Sequence, residues 1–219
     1  MFTLSLAAVD ILREQLGLES STYPFEIPYN GVTYEERSLI RAAVLDDLER
    51  RGLAHRGKPV QEVESALTTM ARPDASLALV CLAGGEEIRV LVAGTASRAV
   101  RLRQIGQHLE IDQADGVVRG MIDLLPDEKP GPGQSVTFTA GEPNDQARAF
   151  LSRPRHRFGQ LSLSTGTGTR KTWPMELTWF DTDAGRYISY TRNNWITYTP
   201  ANRTRIATML SPLVSGSSG

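Results

Sequence analysis

A chain of 219 residues carrying 24 lysines and arginines against 25 aspartates and glutamates is close to electrically neutral, which removes any global pull toward nucleic acid or an anionic membrane. Its length suits one large domain or two small, tightly packed ones, and its 40% of hydrophobic residues are enough for a sizeable core. A single cysteine, Cys81, excludes an intrachain disulfide and fits a reducing cytosol.

The opening Met1–Leu6 run lacks the basic segment of a signal peptide and is soon interrupted by Asp10, Arg13 and Glu14. No segment reaches the ~18–20 apolar residues of a membrane span. The first ~70 residues read as mostly helical. Leu4, Ala8, Ile11 and Leu12 share one helical face, and Pro24 and Pro28 then enforce a loop. Leu39, Ala42, Leu45 and Leu48 mark a second helix from about Thr33 to Arg51, ended by Arg50, Arg51 and Gly52. Val63, Ala66, Leu67 and Met70 define a third, stopped by Pro73.

From Leu77 to Ala83 the chain is continuously apolar, the signature of a strand buried on both faces. Gly84-Gly85 predicts a hairpin into the alternating Ile88, Val90 and Val92. Strands follow near Arg98–Arg103 and Gln107–Asp112, then a helix carrying Val118, Met121, Ile122 and Leu125. Asp127–Gly133 has the composition of a linker. Beyond it the plan recurs, with strands near Ser135–Thr139, Phe158–Thr165, Trp173–Phe180, Gly185–Thr191 and Asn194–Thr199. A last helix is expected to start at Pro200, carry Ile206, Met209 and Leu210, and end or kink at Pro212. The two late helices match at a constant offset (206 − 118 = 88), and Arg98-Ala99-Val100 meets Arg186-Tyr187-Ile188 at the same spacing. Either an internal duplication or two chance-similar sheet-then-helix units produces this pattern. The expected organisation is a first sheet-and-helix half with the N-terminal helices at 1–126, a second half at 134–213, and a flexible tail at 214–219, packed as one unit.

Ser164–Thr172 has the composition of a phosphate loop, but Trp173-Pro174 and an extended segment follow where a phosphate loop needs a helix, so a hairpin loop is expected. Arg153-Pro154-Arg155-His156-Arg157 is a basic cluster that either grips phosphates, with Phe158 stacking on a base, or is a solvated approach to a strand. Asp181 and Asp183 are either an acid–base pair or a tight turn closed by Gly185. His55, His108 and His156 are far apart, and no metal-ligand spacing or cofactor motif is present. Three readings stand beside one another. One is a small enzyme or ligand-binding domain, and another a weak nucleic-acid binder through Arg153–Arg157. The third is a protein-binding surface built from Trp179, Tyr187, Tyr190, Trp195, Tyr198 and Met209, in the aromatic-rich last quarter of the chain.

Phe158-Gly159-Gln160, Trp179-Phe180-Asp181-Thr182-Asp183-Ala184-Gly185-Arg186-Tyr187 and Trp195-Ile196-Thr197-Tyr198-Thr199-Pro200 together resemble the EspG family of ESX (type VII) secretion-associated proteins of actinobacteria. Ala71-Arg72-Pro73-Asp74 is similar to that family too, as is the order of elements over nearly the whole chain. The resemblance implies an α+β, pseudo-twofold fold of antiparallel sheets flanked by helical bundles. It also implies a cytoplasmic, non-catalytic chaperone without cofactor, nucleic acid or membrane insertion. Its partner would be the apolar tip of a PE–PPE heterodimer, or of a related secreted helical hairpin, held at the central sheet and C-terminal helical region.

Overall fold

The chain opens not on a helix but on a short strand, β1 (Phe2–Ser5), that turns at once into α1 (Leu6–Gln15). The structure is a computed structural model. It describes residues 1–18, 20–139, 141–142, 145–166 and 171–215, with the side chains of residues 146, 150 and 151 set aside. Leu4 is fully buried as a strand residue opposite Leu109, so the Leu4-Ala8-Ile11-Leu12 spacing spans two elements. The switch falls at Ser5, whose hydroxyl accepts the Ala8 N–H at 3.1 Å and caps the helix. α2 (Tyr34–Arg50) begins in a capping box between Thr33 and Glu36 and ends at Arg51, followed by Gly52 in the left-handed region (φ 71°). A two-residue-per-strand hairpin, β2 (Ala54–His55) and β3 (Lys58–Pro59), leads into α3 (Gln61–Ala71).

Two four-strand meanders follow. The first is β4 (Ala75–Ala83), β5 (Glu86–Thr95), β6 (Arg98–Ile105) and β7 (His108–Gln113), then α4 (Val117–Ile122). After β8 (Val136–Thr139) and the short α5 (Asp145–Leu151) comes the second: β9 (Arg157–Thr165), β10 (Thr172–Thr182), β11 (Gly185–Arg192) and β12 (Trp195–Pro200), then α6 (Arg203–Ser215). Pro200 therefore ends a strand rather than starting a helix. The cap is Asn202, whose side-chain oxygen accepts the Arg205 N–H at 2.9 Å. Pro212 does not end α6, which continues to Ser215. A proline removes one backbone donor, and a flanking serine hydroxyl here bonds back one turn, Ser211 Oγ to the Ala207 carbonyl.

The meanders do not form separate sheets. All pairs are antiparallel, in the order β1-β7-β6-β5-β4-β9-β10-β11-β12-β8, with β4 and β9 side by side at the centre. A pseudo-twofold axis runs through the middle of that pair, where Leu79 faces Leu161. A shift of 87 positions carries the Leu91–Leu102 pair onto Thr178–Ser189 (178 − 91 = 87; 189 − 102 = 87). It also carries the Ala114 N–H to Ala99 carbonyl bond onto that from Ala201 to Arg186 (201 − 114 = 87; 186 − 99 = 87). The strand repeat is thus 87 residues and not 88. An offset of 88 would carry Val100, which packs beneath α1–α3, onto Ile188, which packs beneath α4 and α6. Between β4 and β9 the shift is 82 (161 − 79 = 82). The longer β9–β10 connection and an irregularity between Thr172 and Met175 account for the change.

The sheet has one core on each face of its first half. Ala78, Leu91, Val100, Leu102 and Leu109 pack under Val9, Leu12, Leu48 and Leu67 of the N-terminal helices. On the opposite face Leu79, Val90, Leu161, Leu177, Trp179 and Ile188 pack under Met121 of α4 and Ile206 and Leu210 of α6, which lie together over the axis. A third, small cluster joins Val136 and Phe138 to Ala147 of α5. The Asp127–Gly133 linker is not slack. The Gly131 N–H donates to the Arg186 carbonyl at 3.0 Å, the Arg186 N–H to the Lys129 carbonyl at 2.8 Å, and the Tyr187 hydroxyl to the Pro132 carbonyl at 3.0 Å. A Cβ on Gly131 would fall 2.1 Å from the buried Tyr187 ring.

Arg37 fastens α2 to α1 and to the loop between them. It is 7% exposed, bonds Asp10 at 2.9 Å, the Asn30 carbonyl and Glu14 at 2.5 Å each, and lies 4.0 Å over the Tyr29 ring. This turns Arg37, Val44 and Leu48 inward and leaves Leu39, read from its spacing as a core residue, 72% exposed. Burial works to raise the Asp10 pKa, but hydrogen bonds from Arg37 and Asn30 outweigh it, and the net shift is down from 3.8. Glu14 is lowered from 4.5, first by its hydrogen bond from Arg37 and then by Arg41.

Two outcomes follow from this packing. Gly131→Ala should lower unfolding stability by about 1–3 kcal/mol in denaturant titration, because the added methyl meets an aromatic ring with nowhere to retreat. Both depressed carboxylates stabilise the fold fully above their unfolded pKa values and lose that contribution as pH falls through the lower folded values. Wild type should therefore lose denaturant resistance steeply below about pH 4, and Arg37→Met should flatten that dependence; parallel slopes for the two proteins would contradict this.

Candidate functional site

The six aromatic and sulfur side chains expected to form a partner surface lie on opposite faces of the sheet. Trp179, Tyr190 and Met209 pack in the core shared with α4 and α6. Tyr187 and Tyr198 are turned the other way. Phe180 stacks on Tyr187 with centroids 5.8 Å apart, Tyr198 meets Phe180 edge-on at 6.1 Å, and Phe138 stacks on Tyr198 at 5.7 Å. Trp179 is 1% exposed and Tyr187 0%, so neither offers surface to a partner. Tyr190, Tyr198 and Met209 are half-buried, and Trp195 stands out at 53%. Strand alternation sends neighbours to opposite faces, so a run dense in aromatics need not make one patch.

Trp179 has a structural explanation in the Phe158-Gly159-Gln160 segment. Gly159 pairs with Trp179 on one side and Cys81 on the other. A Cβ at Gly159 would fall 2.4 Å from the Cys81 Cβ and 2.9 Å from the Trp179 indole nitrogen. Glycine here lets the indole lie across β9. The Arg186 guanidinium sits 4.9 Å above the same ring and grips Asp181 with two bonds of 2.6 and 2.9 Å. Arg157 adds a third contact to Asp181 at 3.0 Å and reaches Glu128 at 3.0 Å.

These contacts use up the groups on which the other readings relied. Asp181 is buried between two guanidiniums, and Asp183 lies at the surface, 3.7 Å from Arg153. The segment is the expected tight turn, with Gly185 at φ 130°, and the Thr182 hydroxyl closes it by donating to the Gly185 carbonyl and accepting from the Ala184 N–H. Arg155 lies 4.8 Å over the Phe180 ring. All three arginines of the Arg153–Arg157 cluster are thus engaged within the molecule, which leaves little positive field for a phosphate backbone. The phosphate-loop candidate joins two strands, Thr165 and Thr172 touch through their hydroxyls at 3.0 Å, and Thr167–Arg170 lie outside the described residues, as does the tail at 216–219. Among the described residues no cluster of three or more His, Cys, Asp or Glu could hold a metal, and no helix is long and apolar enough to cross a membrane.

What the sequence did not mark is a trough of about 890 Å³ on the side of the sheet that carries α1–α3. Its floor is the open strip of β9, β10 and β11, with Gln160, Thr178 and Ser189 in a row across the strands. One wall is the loop after α1. Tyr23 from that loop meets Trp173 edge-on at 6.4 Å, and Lys171 lies 4.7 Å over the Trp173 ring. Arg89 holds the loop, donating to the Pro24 carbonyl and to Glu26 at 2.7 Å each. Arg192 lines the far end.

A profile of the EspG family matches residues 5–211 of the chain. A search of curated protein sequences yields no match. Among solved structures the fold is similar to the Mycobacterium tuberculosis type VII secretion system chaperone EspG5, determined in complex with a PE25–PPE41 dimer. The TM-score is 0.71 at 13% identity, covering 96% of this chain and 94% of that one.

The outer Trp195 and the inner Trp179 should separate cleanly in a mutational test. Trp179→Ala empties a core site and should cost about 3–5 kcal/mol, whereas Trp195→Ala should change stability by less than about 0.5 kcal/mol; equal losses in thermal or denaturant unfolding would refute the assignment of Trp179 to the core.

Proposed function

The chain belongs to the EspG family, and on that premise we propose that it is a secretion chaperone: it holds a helical PE–PPE-type client in the cytosol and hands it to an ESX type VII system. The observation that carries this reading is the match of the fold, over nearly the full length of both chains, to a chaperone solved with such a dimer bound. No chemistry is needed for the task. A helical pair with an apolar tip self-associates in water, and covering the tip removes apolar area at roughly 25 cal/mol per Å². Association must also offset lost rigid-body freedom, so the net affinity stays moderate and release remains possible.

The buried Asp181–Arg186–Arg157 network supports a non-enzymatic role, since it spends its charges on folding. Of the aromatic set, Trp195, Tyr190 and Met209 on the α4–α6 face and Tyr198 on the opposite one retain exposed surface, and Trp179 and Tyr187 pack the core between. Co-expression with PE–PPE dimers from the same genome provides the test. At least one dimer should remain in solution only alongside this chain and co-elute with it as a single species; a complete set of dimers that neither needs nor binds the chain would defeat the reading.

A further inference from the structure

The ends of β6 and β11 correspond, but one backbone donor is paired in β11 and left over in β6. At the shift of 87 the Ala99 carbonyl, which accepts the Ala114 N–H, becomes the Arg186 carbonyl, which accepts that of Ala201. The Arg186 N–H then donates to the Lys129 carbonyl, and Pro130 lies beside Arg186 as a single parallel bridge. Among the described residues no such segment runs beside β6. Its ladder with β7 stops at the Val100–Gln113 pair, and the Ala99 N–H beyond it has no partner among the described residues. Ala99 lines a cavity of about 500 Å³ between α3 and the ends of β6 and β7. Val100 and Ile111 line it where the second half has the larger Tyr187 and Tyr198, and Phe2 and Ala66 complete an apolar floor. We propose that this cavity binds the free C-terminus of another polypeptide, with the terminal carboxylate on the Ala99 N–H and an apolar last side chain on Val100 and Ile111.

Three observations select a chain end over a strand that runs through. First, the chain's own Lys129 carbonyl fills the equivalent place, so the group that suits the Ala99 donor is a backbone-type oxygen acceptor. Second, the linker passes directly over Gly185, where a Cβ would fall 2.7 Å from the Lys129 oxygen and 2.8 Å from the Gly131 nitrogen. The counterpart of Gly185 is Arg98 (185 − 98 = 87), whose side chain bars that path. A chain that stops at the acceptor avoids it. Third, Arg98 is exposed, lines the cavity and pairs with no acid among the described residues, while Asp112 is held by Arg101 at 3.1 Å. A carboxylate is the acceptor that engages the amide and the guanidinium together, and capture of a C-terminal carboxylate by backbone N–H groups is a known mode of peptide recognition. Glu62, on the α3 wall, disfavours an acidic residue upstream of the terminus. The cavity lies beside α3 on the first half of the sheet, apart from the trough, and gives the protein a second partner that does not depend on the chaperone reading.

The experiment follows backbone amide resonances of the full, isotope-labelled chain against three probes: an acetylated tetrapeptide ending in leucine with a free carboxylate, the same peptide as its C-terminal amide, and acetyl-leucine alone. The free acid should move the Ala99 resonance in a saturable way. The amide form should bind about 10-fold more weakly, because the charge-assisted contact with Arg98 is lost. Arg98→Gln, an exposed change, should weaken the acid about 10-fold and remove most of its salt dependence. Ser65→Trp fills the cavity from the half-buried side of α3 and should abolish binding. Arg192→Gln removes an exposed arginine on the other half of the sheet and should leave binding unchanged. Equal affinities for acid and amide, or an Arg98→Gln chain that binds like wild type, overturn the carboxylate site. Acetyl-leucine that binds as tightly as the tetrapeptide assigns the cavity to small carboxylic acids and overturns the polypeptide partner. An Ala99 resonance that no probe moves overturns the proposal outright, and none of these outcomes bears on the chaperone reading.

Discussion

The pairing of β4 with β9 is the contact on which the rest of the molecule depends. Without it the chain would be two five-stranded units, each ending in a bare inner edge that invites pairing with other chains. Leu77, Leu79, Leu161 and Leu163 meet along the seam, and a direct hydroxyl contact, Ser76 to Ser164 at 2.8 Å, marks its far end on the opposite face. α4 and α6 close over the seam from one side, so each half supplies both a strand and a helix to the joint. Cutting either layer exposes the other.

The halves match in backbone more closely than in side chains. Gly94, Ala99 and Val92 of the first half correspond, at the 87-residue shift, to Asp181, Arg186 and Trp179 of the second. Small residues under α4 have thus become an ion pair stacked on an indole. The Asp74 N–H to Gly94 carbonyl bond has its counterpart in that from His156 to Asp181, at 2.8 and 2.9 Å. One backbone plan therefore tolerates two interiors. Buried charge survives in the second because Asp181 receives three contacts from two guanidiniums, which is the condition for an ion pair to persist out of water.

Much of this architecture was legible in the sequence, and the illegible parts share a cause. The meander strands announce themselves through alternation and through Gly84-Gly85, α2 through its caps, and α3 through its apolar spacing and Pro73. β1, the β2–β3 hairpin and α5 are two to seven residues long, too short for a period to register, and hold their shape only through neighbours. The 87-residue repeat was missed by one position because an equal spacing of apolar residues says nothing about which face they occupy. Site residues suffered most. Trp179 and Tyr187 look like contact residues by type and are core by position. Gln160, Thr178 and Ser189 look like ordinary solvent-facing strand residues, and only alignment with Ala78, Leu91 and Leu102 under the correct shift makes their polarity conspicuous.

A three-helix layer over one half and a single short helix at the rim of the other make a symmetric scaffold lopsided. A true twofold dimer presents each of its surfaces twice and so invites two guests. Here one of the two equivalent places is covered by the chain's own α1–α3, so the two halves of a symmetric framework turn different surfaces outward.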